Sequence, residues 1–181
     1  MKTRNLVCFL AVLFSFSSVS PANMAIKNFQ VVKEKDGIAG CWNVIPSPQP
    51  SFFPLLYAVT GSGNDVWAVG EYGDGTRAIT LTMHWNGGAW SVVPSPNVGA
   101  LSNSLFGVSG SGNDVWAAGY YYTFEQGFEV SRALILHWDG SAWSVVASPN
   151  PGFWGNNLYA VVGSTTMFGL LGITVMGSAG R

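Results

Sequence analysis

The chain is poor in charge, histidine and cysteine, and each shortage removes a class of function. Charged residues make up 9% of its 181 positions and hydrophobic residues 48%. A chain with that balance is far from the disordered class, so a packed domain is expected. Eight Lys/Arg against nine Asp/Glu leave no basic excess. A binder of phosphate backbones needs a clustered positive surface, which excludes nucleic acid as a partner. The two cysteines and two histidines form no cluster with metal-ligand spacing, so neither a metal nor a cofactor is expected. Twenty-three glycines, nine prolines and eight tryptophans point to short strands joined by turns.

Long apolar runs are missing too, and the one near the start has a specific form. Lys2 and Arg4 precede an apolar run from Leu6 to Phe16, followed by small residues up to Ser20 and Ala22. This is the layout of a secretory signal peptide over residues 1–22, cut after Ala22, and it implies export. The run is shorter than the ~20 residues a spanning helix needs; an uncleaved N-terminal anchor is the alternative. Cys8 would leave with the peptide. Cys41 then stands alone, as a buried thiol or as a cross-link between two chains, and the exported product is held by packing instead of disulfides. After the cut, Lys27, Lys33, Lys35, Arg77, Arg132 and Arg181 face nine acids, a net charge of −3.

Two long phrases occur twice. "LYAVTGSGNDVWAVGEY" (Leu56–Tyr72) matches "LFGVSGSGNDVWAAGYY" (Leu105–Tyr121), and "HWNGGAWSVVPSPN" (His84–Asn97) matches "HWDGSAWSVVASPN" (His137–Asn150). A third beginning, "LYAVVGS", starts at Leu158, and an earlier ending, "WNVIPSP", starts at Trp42. Trp67 and Trp116 are 49 residues apart and Trp85 and Trp138 are 53 apart, so the second copy carries four extra residues, which are expected in one loop. Trp85 to Trp90 and Trp138 to Trp143 keep the same spacing.

Each unit reads as four strands: about Leu56–Thr60, Asp65–Tyr72, Arg77–Trp85 and Ala89–Val93. Along the third, Ile79, Leu81, Met83 and Trp85 alternate with Ala78, Thr80, Thr82 and His84, which predicts one face against another layer. "GSGN" and "NG" or "DG" supply hairpin turns, and "PSPN" forces the chain out of the sheet. Four antiparallel strands per ~50 residues is the period of a β-propeller blade. The predicted fold is all-β: tandem four-stranded antiparallel blades forming an incomplete β-propeller, with about two full blades and partial ones. The predicted organisation is a signal peptide (1–22), a linker with a partial blade (23–41), the repeat array (42–164) and an aberrant tail (165–181).

From Trp42 to Ser164 the chain resembles the Trp-rich, kelch-like propeller repeats of secreted bacterial proteins. It departs from the kelch pattern in having single glycines, Gly70 and Gly119, where that family has a doublet, and its Asp residues do not follow Asp-box spacing. The resemblance implies a fold and no active site.

After "LYAVVGS" the repeat calls for a phrase like "DVWAVG", but the chain reads "TTMFGLLG" (Thr165–Gly172). One choice of codons for these residues, shifted in frame, spells Asp-Asp-Val-Trp-Ala-Val-Gly. A frameshift near Ser164 that truncated a larger propeller is therefore expected, and the coding DNA tests it. The apolar stretch Met167–Met176 is too short to anchor in a bilayer.

No residue pattern calls for catalysis. His84 and His137 precede a tryptophan at equivalent places, and Asp65 and Asp114 follow equivalent turns, so all four are expected to serve the scaffold, as are Trp67, Trp85, Trp90, Trp116, Trp138 and Trp143. Ser62 and Ser111 lack a nucleophile-elbow setting. Glu71 and Asp74, in "EYGDG", lack the ligand ladder of a calcium loop and read as a solvated hairpin tip. What differs between the copies is the better place for a ligand. "YYYTFEQGFEV" carries Tyr121, Tyr122, Phe124 and Phe128, and "NPGFWGNN" carries Phe153 and Trp154. These rings suit a sugar, or they pack between blades. The expected function is a non-enzymatic, exported interaction or structural module with a carbohydrate or protein ligand; a remnant of a propeller hydrolase or lectin is the alternative. Uncovered blade faces and strand edges would favour self-association.

Overall fold

The computed structural model describes residues 45–50, 52–164 and 167–175. The chain divides into two compact units, Met1–Pro46 and Ser47–Arg181, and the elements below belong to the second. The signal peptide, Cys8, Cys41, Trp42 and the linker lie outside the described residues, as do parts of the tail.

Every regular element among the described residues is a β-strand, so this part of the chain is all-β, as the composition predicts. The strands are β1 (Phe52–Ser62), β2 (Asp65–Gly73), β3 (Ala78–Trp85), β4 (Trp90–Val92), β5 (Asn103–Ser111), β6 (Asp114–Glu125), β7 (Phe128–Trp138), β8 (Trp143–Val146), β9 (Gly155–Ser164) and β10 (Met167–Val175). The first repeat folds as one antiparallel sheet in the order β1-β2-β3-β4. The second sheet has six strands: β10-β9-β7-β6-β5, with β8 also on β7. The third hairpin joins it through a single parallel bridge, Ser131 to Gly155. The curled sheets of this unit form a half-barrel.

The duplicated phrases form duplicated geometry. Ser62 pairs with Asp65, and Ser111 with Asp114, across turns in which Gly63 and Gly112 both take φ of 60°. A side chain at that φ is strained, so the glycine is what lets the chain reverse so tightly. Gly70 and Gly119 serve a different need. Each lies opposite a bulge in the first strand, where an added Cβ would stand 1.8 Å from the Leu55 carbonyl oxygen or 1.9 Å from that of Ser104. Only glycine admits such an approach of two backbones.

The third strand differs from its expected single buried face, since Thr80 and Thr82 are buried along with Leu81 and Met83. Burying a hydroxyl is costly unless it is bonded. The Thr82 hydroxyl donates to the Val93 carbonyl at 2.5 Å, and that of Thr80 lies 2.9 Å from Ser95 Oγ. The loop after β4 therefore folds back as a polar cover. Within it, Asn97 accepts the Thr80 N–H at 2.9 Å, and Asn150 accepts the Ala133 N–H at 2.8 Å at the equivalent position. Both bonds satisfy backbone donors that the short fourth strands leave unpaired.

The four extra residues of the second unit are not in a loop, contrary to the expectation from spacing. They lengthen the hairpin, with the β6–β7 ladder running out to Glu125 and Phe128. Gln126 and Gly127 close it with φ of 50° and 84°. A two-residue turn with both φ values positive matches the twist of a strand pair, so the ladder continues to its tip.

The tail supplies a strand although its sequence departs from the repeat. Met167 pairs with Ser164 in the same register as Asp65 with Ser62 and Asp114 with Ser111, and β10 follows β9 as β2 follows β1. In that register Gly169 occupies the place of Trp67 and Trp116.

Candidate functional site

The repeated polar residues meet each other. Asp65 Oδ1 lies 2.8 Å from His84 Nε2, and Asp114 Oδ1 lies 2.9 Å from His137 Nε2. Each imidazole lies nearly flat on the tryptophan of its unit, with centroids 4.4 Å apart for Trp67 and 4.3 Å for Trp116. Asp65 also reaches the next unit, accepting the Gly112 N–H at 2.6 Å. Burial raises the Asp65 carboxyl, but the Gly112 N–H and then the His84 ring outweigh it and hold the group below the ordinary carboxylate range. An ionised carboxylate only accepts, so His84 donates from Nε2. The arrangement joins a turn, a ring stack and a neighbouring sheet. Among the described residues, no serine or other nucleophile is hydrogen-bonded to either imidazole.

Tryptophans fill the space between sheets. Trp67 is 1% exposed and approaches Trp138 at 5.0 Å and the edge of Trp143 at 5.3 Å. It packs with Val69, Leu105, Val115, Ala117, Leu134 and Leu136. Trp116 packs with Ala118, Ile135 and Val161, and its indole N–H donates to Asp114 at 2.9 Å. Trp85 pairs across the hairpin with Trp90, and Trp138 with Trp143, both at 6.0 Å.

The six aromatic residues expected to form a ligand surface separate into three groups. Tyr121 packs against the core cluster around Trp67. Tyr122 and Phe124 alternate with Tyr121 along β6 and so take the opposite face of the extended hairpin; Tyr122 meets the edge of Tyr120 at 5.6 Å. Phe128, Phe153 and Trp154 come together. Trp154 stands edge-on to Phe128 at 5.1 Å and to Phe153 at 4.9 Å. All three remain 38–51% exposed.

Arg132, a residue without a signature motif, holds this group in place. It is buried, and its guanidinium pairs with Glu125 at the hairpin tip, Nε to Oε1 at 2.8 Å and Nη2 to Oε2. The same guanidinium donates to the carbonyls of Gly152 at 3.3 Å and Phe153 at 3.1 Å. A planar fork of donors suits several acceptors at once, which a lysine would not match. Bonding to Arg132 holds the Glu125 carboxyl below its ordinary range. The loop is fastened at two further points. Asn156, buried, both accepts from and donates to Gly152 at 2.8 Å. Ser131 donates its N–H to the Trp154 carbonyl at 3.2 Å and its hydroxyl to Asn157 Oδ1 at 2.5 Å. The signal for Arg132 was available in the repeat, since the first unit has Ile79 at that place.

Glu71 is placed differently from the hairpin tip expected of it. It lies within β2, accepting from Tyr57 and Ser104, while Asp74 does sit at the exposed tip and accepts the N–H groups of Thr76 and Arg77. Those bonds hold the Asp74 carboxyl at about 2, the Thr76 hydroxyl contributing most. Among the described residues, no group of three or more His, Cys, Asp or Glu is placed to hold a metal ion, and no helix is long and apolar enough to cross a membrane. No protein-family model matches the chain, and no curated protein or solved structure is significantly similar to it.

Proposed function

We propose that the protein is an exported, non-catalytic interaction module built on an incomplete β-propeller, and that Phe128, Phe153 and Trp154 form its ligand surface, with a carbohydrate as ligand and a protein as the alternative. The observation that carries this reading is the guanidinium of Arg132, which ties the hairpin tip and the 151–155 loop to each other. Exposed rings ordinarily lose mobility when they bind, at an entropic cost. Rings presented on fastened backbone have lost part of that freedom beforehand, which is how aromatic platforms for sugars gain affinity. The repeats support the propeller reading. Two successive units share turns, bulges, tryptophans and the Asp–His pairing, and each apposes its first strand to that of the next. Apolar residues left open on first strands, Val59 at 58% and Val162 at 72% exposure, support self-association.

A glycan-array screen of the whole protein beside Trp154→Ala tests the ligand surface, with a hydrolase substrate panel run in parallel. Binding that falls at least tenfold in the variant is the expected result. Binding unchanged by the variant, or turnover of any panel substrate, would overturn the reading.

A further inference from the structure

A second cluster of rings lies on the first strands, away from the Arg132 fastening. Tyr57, Phe106 and Tyr159 occupy the same position in the three units. Tyr57 stacks on Phe106 at 4.7 Å, Phe106 on Tyr120 at 5.1 Å, and Tyr159 meets Phe106 edge-on at 5.5 Å. The first unit sends a carboxylate into this row. Glu71 Oε1 accepts the Tyr57 hydroxyl at 3.1 Å, and Oε2 accepts the hydroxyl of Ser104, which is buried.

The scaffold does not demand this acid. In the second unit the same place on the same strand holds Tyr120, and the places equivalent to Ser104 hold Leu55 and Asn157. Burial first, and then the charge of Glu71, push the Tyr57 hydroxyl up to about 12, so it stays neutral and donates. Burial and the neighbouring tyrosines, with a smaller part from Glu71, push Tyr120 up to about 12 as well. The donors around Glu71 are therefore uncharged, and among the described residues no Lys, Arg or His pairs with it. Glu71 is thus a half-buried acid whose bonded partners are hydroxyl groups. Tyr57, bonded to it, is 43% exposed, and Tyr159, which meets Phe106 further along the row, is 40% exposed.

A carboxylate without a counter-charge next to open tyrosine rings has the chemistry that holds an organic cation: the ring quadrupole attracts the cation and the carboxylate neutralises it. We infer that Glu71, with the open ring of Tyr57 in the first-strand row, binds an alkylammonium group, supplied either by a small quaternary amine or by a lysine side chain.

The test is titration of the full chain at constant ionic strength, followed by nuclear magnetic resonance, with three probes: choline, N-acetyl-lysine amide, and 3,3-dimethylbutan-1-ol as the uncharged analogue of choline. One or both cations should shift resonances of the Tyr57–Tyr159 cluster and the alcohol should not; whichever cation binds more tightly identifies the source. Glu71→Gln keeps the side-chain length and one acceptor oxygen but removes the charge, and should weaken cation binding about tenfold or more, a loss of the size expected for a neutralised ion pair near a surface. Tyr57→Phe keeps the ring and frees one carboxylate oxygen, so binding should be retained or tightened. No binding of either cation at millimolar concentration, equal binding of the alcohol, or cation binding unchanged in a folded Glu71→Gln protein would each overturn the inference.

Discussion

The seam between the first and second sheets and the seam between the second sheet and the β9–β10 hairpin start from the same tryptophan phrase and close differently. In the first, Trp67 lies between the Trp138 and Trp143 rings, and Asp65 latches onto the turn of the next unit. In the second, Trp116 meets Val161 and the bare backbone of Gly163, where an added Cβ would stand 2.8 Å from its ring. The two rings also differ in burial: Trp116 is 9% exposed against 1% for Trp67, so less of its surface has left water.

The largest effect that could break this comparison is at the wedges. Trp67→Ala should cost about 3–5 kcal/mol, as for other buried aromatic truncations, and Trp116→Ala should cost less. Chemical denaturation followed by circular dichroism measures both, and equal losses would show the two seams to be equivalent. Gly163→Ala should open the second seam alone, at about 1–3 kcal/mol from overpacking against Trp116. Hydrogen exchange should then speed up in β9 while β1–β4 keep their protection; a uniform rise would assign the seams to one cooperative unit.

Next in size is the fastening that belongs to the second unit only. Arg132→Met keeps much of the stem but removes the fork, leaving the Gly152 and Phe153 carbonyls without that donor, at about 1–3 kcal/mol. Trp154 fluorescence anisotropy should fall as the loop loosens, and an unchanged value would mean that Asn156 and Ser131 suffice. The smallest effect is at the Asp65 latch. Its folded pKa lies below the unfolded value, so its stabilisation is complete above the unfolded carboxylate pKa near ~3.9 and disappears as pH falls through the folded value. Asp65→Asn should flatten the acid limb of a stability-versus-pH profile, and a parallel, merely lowered profile would remove the latch from the account.

Much of the first sheet was legible because its signals are local. Glycine pairs mark turns whose φ is positive, period-two alternation marks strands, and a duplicated phrase marks a duplicated unit. The rim was half legible. Phe128, Phe153 and Trp154 stood out as aromatic departures from the repeat, but Tyr121 followed the pleat into the core and Phe124 followed it to the opposite face. The spacing alone placed four residues in a loop, because a Gln-Gly pair does not announce that it will continue a ladder. Arg132 escaped notice and Glu71 was read as part of a hairpin tip for a different reason: the repeat marks Arg132 as a departure, but the partners of both residues include carbonyls and hydroxyls brought near by folding, which no spacing in the chain encodes.

The sequence by itself determined strands, turns and the repetition of the unit, since these depend on each residue's own backbone preferences and on a pattern repeated every ~50 positions. The tertiary structure decided which rings are covered, which charge is paired and which surface is held rigid. Those outcomes depend on what lies across the seam, and a seam brings together residues from different units.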